Sequence, residues 1–304
     1  ALANAAVRTL GTPHAEAVTW PALAGGSAGI GAPPGPSLPS IGVPVALVAL
    51  VRKSLVRHDE DGRFSLHRTI AQYAVEKLTA DAPRHTALRA RHAAYYAAVA
   101  RRCAAEMRSA RATEANTTLH LEHANLRAAW AWAVERRDDA LIEPLLAALG
   151  PLYRLRGPLP EGTRLVRAAL VQLVDDPALP PSLGAQLFFE VARLLSTGAR
   201  CDEAQQAVQK GLALAGAAAS RELEAAGQLL DGQILSQQAA YEPARARLRT
   251  ALVLAHETGQ PLVAADALRE LANIANRQCI FEEGRAHYQE ALAIYRSHAD
   301  IRGE

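Results

Sequence analysis

Aromatic residues make up only 5% of this 304-residue chain, methionine occurs once and cysteine three times. With so few large rings available, alanine and leucine dominate, and helix is the default expectation. Cys103, Cys201 and Cys279 are odd in number and far apart, which argues against a disulfide framework and for a reduced, cytoplasmic protein. Charge is missing altogether between Ala17 and Val51. Yet Pro21, Pro33, Pro34, Pro36, Pro39 and Pro44 interrupt that stretch, and its unbroken apolar part falls far short of the roughly 20 residues needed to span a bilayer. No basic segment precedes it, so neither a membrane segment nor a signal peptide is expected.

Catalytic signatures are missing too. The chain has no His-Glu-x-x-His, Gly-x-Ser-x-Gly or Cys-x-x-Cys. Gly26, Gly29 and Gly31 lack the Lys-Ser/Thr that would meet phosphate and magnesium, and no Gly-x-x-x-x-Gly-Lys-Ser/Thr occurs anywhere. His120 and His123 flank Glu122 at a spacing that would suit one metal, but no third ligand is close, and no metal site is expected. The chain reads as a non-enzyme with no cofactor of its own.

What is present is a repeat. Tyr241-Glu242-Pro243-Ala244 through Thr250-Ala251-Leu252 overlies Phe281-Glu282-Glu283-Gly284 through Glu290-Ala291-Leu292, and also Cys201-Asp202-Glu203-Ala204 through Lys210-Gly211-Leu212. Small residues recur at Ala192, Gly232 and Ala272 and at Ala204, Ala244 and Gly284, while Val208, Leu248 and Tyr288 supply the bulk. Small residues where helices cross closely, with large ones beside them, predict stacked helical hairpins with a period of about 40 residues. A fourth copy upstream is carried by Leu149-Gly150, Tyr153, Pro160-Glu161-Gly162, Val166 and Ala169-Leu170. The units begin near 143, 185, 225 and 265. Two of the cysteines fall at repeat positions that call for packing, and Ala299 to Glu304 reads like the lead-in to a further unit.

This pattern resembles tetratricopeptide (TPR) repeats, with a period longer than the usual length of about 34 residues. The resemblance implies an all-α, TPR-like superhelical array whose first helices line a concave groove. By helical spacing the groove residues are Gln186, Phe189, Arg193 and Ser196, then Ala226, Leu229, Gln233 and Ser236, then Asp266, Arg269, Asn273 and Asn276. Arg193, Gln233 and Asn273 would form a ladder able to bond a peptide backbone or carboxylate, with Phe189 and Leu229 offering apolar contact. The alternative is a polar, solvated face that keeps the array soluble.

Upstream, residues 1–40 hold six glycines and six prolines and are expected to be irregular. Val45 to Lys53 has helical periodicity, Leu55 to His58 and Arg63 to His67 are strand candidates around an Asp61-Gly62 turn, and Thr69 to Leu78 is a helix with Ile70, Tyr73, Ala74 and Leu78 on one face. Helix, hairpin, helix is the back half of a winged helix. Residues 84–136 read as two or three long helices, with Leu126, Trp130 and Trp132 as core.

Leu50 to Val56, Gly62 to His67 and Ile70 to Leu78 resemble the winged-helix segment of STAND signal-transduction ATPases, the class that includes AfsR-like and LuxR-like bacterial regulators. The similarity continues through Arg91-His92-Ala93-Ala94-Tyr95-Tyr96 and Leu121 to Ala133. The first helices of the winged domain are not found in residues 1–40. In that class a histidine in a Met-His-Asp-like motif touches the phosphate of ADP held by an ATPase module. The matching residues here are Leu66-His67-Arg68, so His67 would be the nucleotide sensor, with Arg68 in place of the acid. ATP or ADP would enter only through an ATPase module that this chain lacks, and for this chain alone a strand-end histidine without a ligand is the preferred reading.

Between Arg84 and Arg111 lie seven arginines against Glu106 alone, a local charge of +6 by seven minus one, although the whole chain carries only +2. An acidic neighbouring domain or solvent is the expected partner, since stacking aromatics for nucleic acid are sparse. The expected domains are 1–40 irregular, 41–80 partial winged helix, 81–140 linker helices and 141–304 repeats. The expected function is a protein-interaction and ligand-sensing module of a STAND-type regulator, binding a protein or peptide in the groove. The alternatives are a free-standing TPR scaffold, and DNA binding through the winged-helix remnant and arginine-rich helices.

Overall fold

A computed structural model of the chain describes residues 19–20, 43–58, 64–155, 157–174, 176–300 and 303, with side chains from residue 47 onward. The described residues are predominantly α-helical, with one small antiparallel sheet. They fall into two compact units. The first takes the residues up to Tyr95 together with Arg127–Trp132, and the second takes Tyr96–Leu126 and everything from Ala133 onward.

In the first unit, strand β1 (Thr19–Trp20) is followed by helix α1 (Val43–Arg52), strands β2 (Val56–His58) and β3 (Phe64–Leu66), and helix α2 (Arg68–Thr79). Strand β3 is central, pairing Thr19 with Ser65 on one side and Val56 with Leu66 on the other. Apart from β1, the segment expected to be irregular lies outside the described residues, as does the Asp61-Gly62 turn. Ser54, at φ 56°, turns the chain from α1 into β2, and Leu55 N–H closes the turn onto Leu50 O at 3.0 Å. Val56, Leu66 and Ala71 form a small core with Leu50, Val51, Phe64 and Ile70 packed against it. The buried face of α2 is Ala71, Val75 and Leu78; of the expected set Leu78 is buried, Ile70 packs on the core and Ala74 is half-buried, and only Tyr73 faces out. Tyr73 is 60% exposed, with the Lys77 ammonium 5.5 Å from its ring centroid. A phenol keeps its hydroxyl hydrated at little loss of apolar contact, so the aliphatic Val75 takes the inward position instead.

Helices α3 (Ala82–Glu106) and α5 (His123–Arg136) each contribute to both units, and α4 (Ala112–Leu121) lies between them in sequence. Leu126, Trp130 and Trp132 are buried, and the Arg89 guanidinium lies 4.6 Å from the Trp132 ring centroid.

From residue 139 the second unit is a run of helical hairpins: α6 (Asp139–Leu155) with α7 (Leu159–Leu173), α8 (Pro181–Thr197) with α9 (Cys201–Ala217), α10 (Arg221–Gln237) with α11 (Tyr241–Glu257), and α12 (Pro261–Arg277) with α13 (Phe281–Ser297). Each of the last six helices is 17 residues long, and from Pro181 onward successive helices begin 20 residues apart. The long period of the sequence repeat therefore comes from long helices joined by three-residue turns. Those turns are alike. Ala199, Ala219, Ala239, Gly259, Cys279 and Ala299 all adopt left-handed φ, between 50° and 65°. The following N–H in each case returns to a carbonyl five residues back, as in Ala240 N to Leu235 O at 2.9 Å and Asp300 N to Tyr295 O at 3.0 Å. This is the Schellman closure, which satisfies carbonyls that a helix end would otherwise leave open. Cys279 is thus an exposed turn residue rather than the packing residue expected, because its backbone position is set by the turn.

Small residues mark the crossings. A Cβ on Gly232 would lie 2.6 Å from Leu248 Cγ, and a Cβ on Gly211 or Gly227 would strike the Phe189 ring at 2.5–2.6 Å. Between α10, α11 and α12 the core is Leu229, Leu235, Ala244, Leu248, Ala251, Ala267, Leu271 and Ile274. Between α12 and α13 it is Ala265, Leu268, Ala291 and Tyr295.

Candidate partner-binding face

The first helix of each hairpin packs not only on its own partner but also on the first helix of the next: α6 on α8, α8 on α10, α10 on α12. These four helices form one continuous layer. A helix gripped by neighbours on three sides keeps only a narrow stripe for solvent, and α8 accordingly buries ten of its 17 residues.

That stripe decides which of the expected groove residues are accessible. Gln186, Arg193, Ser196, Gln233, Arg269 and Asn273 are partly exposed, and Asn276 is exposed. Phe189, Leu229 and Ser236 are not groove residues. Phe189 is 1% exposed and fills the space left by Gly211 and Gly227, Leu229 belongs to the core, and Ser236 is 1% exposed. The physical reason is the layer itself, which turns positions that a helix packed on one side would leave open into interhelical contacts.

The accessible stripe is polar, and its side chains bond from one hairpin to the next. Gln186 donates to Glu143 at 3.2 Å, and Ser196 to Gln237 at 2.8 Å. The buried Ser236 hydroxyl donates to Glu270 at 2.7 Å, and Arg277 donates to Ser236 O at 3.1 Å. Asn273 donates to Glu270 at 3.0 Å and accepts from the Tyr288 hydroxyl. Gln233 makes no side-chain hydrogen bond among the described residues. Asn276 lines a cavity of about 270 Å³ with Phe281, Arg285, Tyr288, Gln289 and Leu292.

Glu190, 5% exposed, pairs with both Arg154 and Arg193. Arg193 keeps a side chain that is 36% exposed, yet desolvation is the main influence on it and lowers its pKa despite Glu190. Sequence reasoning missed Glu190 and Arg154. The signal was there in a lone acid within the apolar run Leu187-Phe188-Phe189-Glu190-Val191, because a charge buried among apolar neighbours requires a partner.

The arginine-rich segment is also resolved into specific contacts. Arg108 and Arg111 lie in the turn between α3 and α4, not on a helix. Arg111 pairs with Glu106 at 2.8 Å and Glu114 at 3.2 Å. Arg108 donates two parallel bonds to Asp266, at 3.0 and 3.3 Å, and another to Asp300. The acidic neighbour of Arg108 therefore belongs to this chain. Asp266 also accepts from the Tyr295 hydroxyl at 2.7 Å. Burial, followed by Asp266, raises the Tyr295 pKa. Burial opposes the charge of Arg269, but its bond to Tyr295 and the nearby acids outweigh that and raise its pKa.

His67 is exposed at the end of β3, where it caps α2 by backbone position without a side-chain bond. His120 and His123 do not share a helical turn, since α4 ends at Leu121 and α5 begins at His123. His123 Nε2 lies 2.9 Å from the Tyr153 hydroxyl, which donates to Glu161 at 3.3 Å. Among the described residues no group of three or more His, Cys, Asp or Glu is placed to hold a metal, and no helix is long and apolar enough to cross a membrane.

Comparison with known proteins adds little. No family model and no curated protein matches the chain. Among solved structures it is similar to BtubC (BKLC) from P. vanneervenii, at 19% identity and a TM-score of 0.48, over 57% of this chain and 73% of that one.

Proposed function

We propose that the chain is a TPR-like protein-interaction and ligand-sensing module of a STAND-type signalling or transcription regulator, without catalytic activity of its own. The observation that carries this reading is the continuous layer of first helices, with Arg193, Gln233 and Asn273 repeating every 40 residues on its partly exposed stripe. Arginine and amide side chains in register bond an extended backbone without demanding one sequence. Their neighbours are already braced between hairpins, so binding has little ordering to impose on the face. Regulation would follow from differential affinity of the ligand for two states of a larger regulator. In such a regulator His67 would meet nucleotide held by a separate ATPase module.

The test is partner capture from lysate and from a peptide library, by the wild-type chain and by Arg193→Ala/Gln233→Ala/Asn273→Ala. Capture should vanish in the variant while the melting temperature stays within a few degrees. Equal capture by both proteins, or capture by neither, would rule out the face.

A further inference from the structure

Asp266 stands at the expected groove position of α12 and is already occupied. The occupant is Arg108, 158 residues away in sequence, whose guanidinium grips Asp266 with two parallel bonds and Asp300 with a third. Asp300 is 1% exposed, and the Tyr295 hydroxyl donates to the Asp266 carboxylate at 2.7 Å. Two carboxylates, one buried and one oriented, match the planar fork of a guanidinium far better than the point charge of an ammonium. The turn that delivers Arg108 is itself braced: Ser109 N–H and its hydroxyl both donate to Glu106 O, at 3.0 and 2.9 Å, and Met107 is buried.

We propose that Asp266 and Asp300 form an arginine-binding site on the first-helix face, and that the 107–111 turn is a built-in occupant which an arginine-bearing peptide must displace. The proposal rests on reading that face as a peptide-binding surface. An intramolecular occupant acts at an effective concentration of about millimolar or more, so it suppresses weak ligands and yields only to those that bring further contacts. Arg193, Gln233 and Asn273 are the residues placed to supply such contacts. The ligand this arrangement selects is an arginine-bearing peptide that also reaches those side chains, not a generally basic one.

A fluorescent, end-blocked peptide spanning residues 105–114 tests this by anisotropy against the wild-type chain, Arg108→Ala, and Arg108→Ala/Asp266→Asn. Arg108→Ala should bind about tenfold or more tightly than wild type, since the competitor is gone. Asp266→Asn should abolish that gain, as should citrulline in place of the peptide's Arg108, with its Arg111 retained. If Arg108→Ala does not fold, Arg108→Lys keeps the charge but loses the fork and should show a smaller gain. Equal affinity for wild type and the Arg108 variants, no detectable binding to any of them, or a gain that survives Asp266→Asn overturns the proposal. Loss of capture in the triple variant without any peptide gain would sink the latch alone. A peptide gain with capture unaffected would leave the arginine site standing and remove the broader face.

Discussion

Phe189 shows how single residues set this fold. Its ring occupies space that exists only because positions 211 and 227 have no side chain. Gly211→Ala gains helix propensity of about 1 kcal/mol but drives a Cβ into the ring, and overpacking costs about 1–3 kcal/mol, so the net effect should be destabilising. In a Phe189→Ala background, itself weaker by about 3–5 kcal/mol, the ring clash is gone, only a 3.3 Å approach to Phe188 Cβ remains, and Gly211→Ala should become stabilising. Urea denaturation of the four proteins checks the change of sign.

Asp231 gives a pH signature at the same scale. Burial pushes its carboxyl pKa above the ordinary value of 3.8, against the opposing pull of Arg247, Gln209 and Gln205. The native state then holds the proton longer than the unfolded chain does. The stabilising contribution is complete below the unfolded pKa and is lost as pH rises through the folded one. Asp231→Asn lacks this loss, so its melting temperature relative to wild type should rise between about pH 3 and pH 7. A flat difference across that range would contradict the assignment.

Ion pairs divide by burial. The side chains of Arg154 and Glu190 are 24% and 7% exposed, and removing the arginine should cost about 1–3 kcal/mol, because the acid stays buried with Arg193 as its remaining partner. Arg221 and Glu257 are 63% and 49% exposed, and Arg221→Ala should cost under about 1 kcal/mol. Chemical denaturation at low and high salt separates the two cases.

At the scale of elements, the 20-residue step is set by the turns. Left-handed backbone costs a residue with a Cβ roughly 1 kcal/mol or more, and of the six turn positions only 259 carries glycine. Ala239→Gly should therefore stabilise the protein by about 1 kcal/mol, and Gly259→Ala should destabilise it by a similar amount. Thermal melts of the two variants should shift in opposite directions. Helix ends add smaller support: the Ser220 hydroxyl accepts from Leu223 N–H at 3.3 Å, and Glu282 and Glu283 sit in the first turn of α13.

Across the whole chain, the repeat was legible because crossing helices demand small residues at fixed intervals, and Ala192, Gly232 and Ala272 record that demand directly. The β2–β3 pairing and the helix that follows it were legible for a similar reason, in short apolar strands and one amphipathic period. The candidate site was legible only in part. Arg193, Gln233 and Asn273 could be placed on the first helices from spacing, but spacing could not show that α8 and α10 are each held between the neighbouring hairpins, and so Phe189 on α8 and Leu229 and Ser236 on α10 were wrongly expected to face a ligand.

The sequence by itself determined the helices, their 40-residue pairing and the polar stripe, because each depends on residues within one or two turns of one another or at a fixed repeat distance. Only the tertiary structure decided which charges meet. Arg108 looks solvated in a run of like charges, and its partners stand 158 and 192 residues away. An ion pair depends on distance in space, and no local period encodes a contact closed by the stacking of four hairpins.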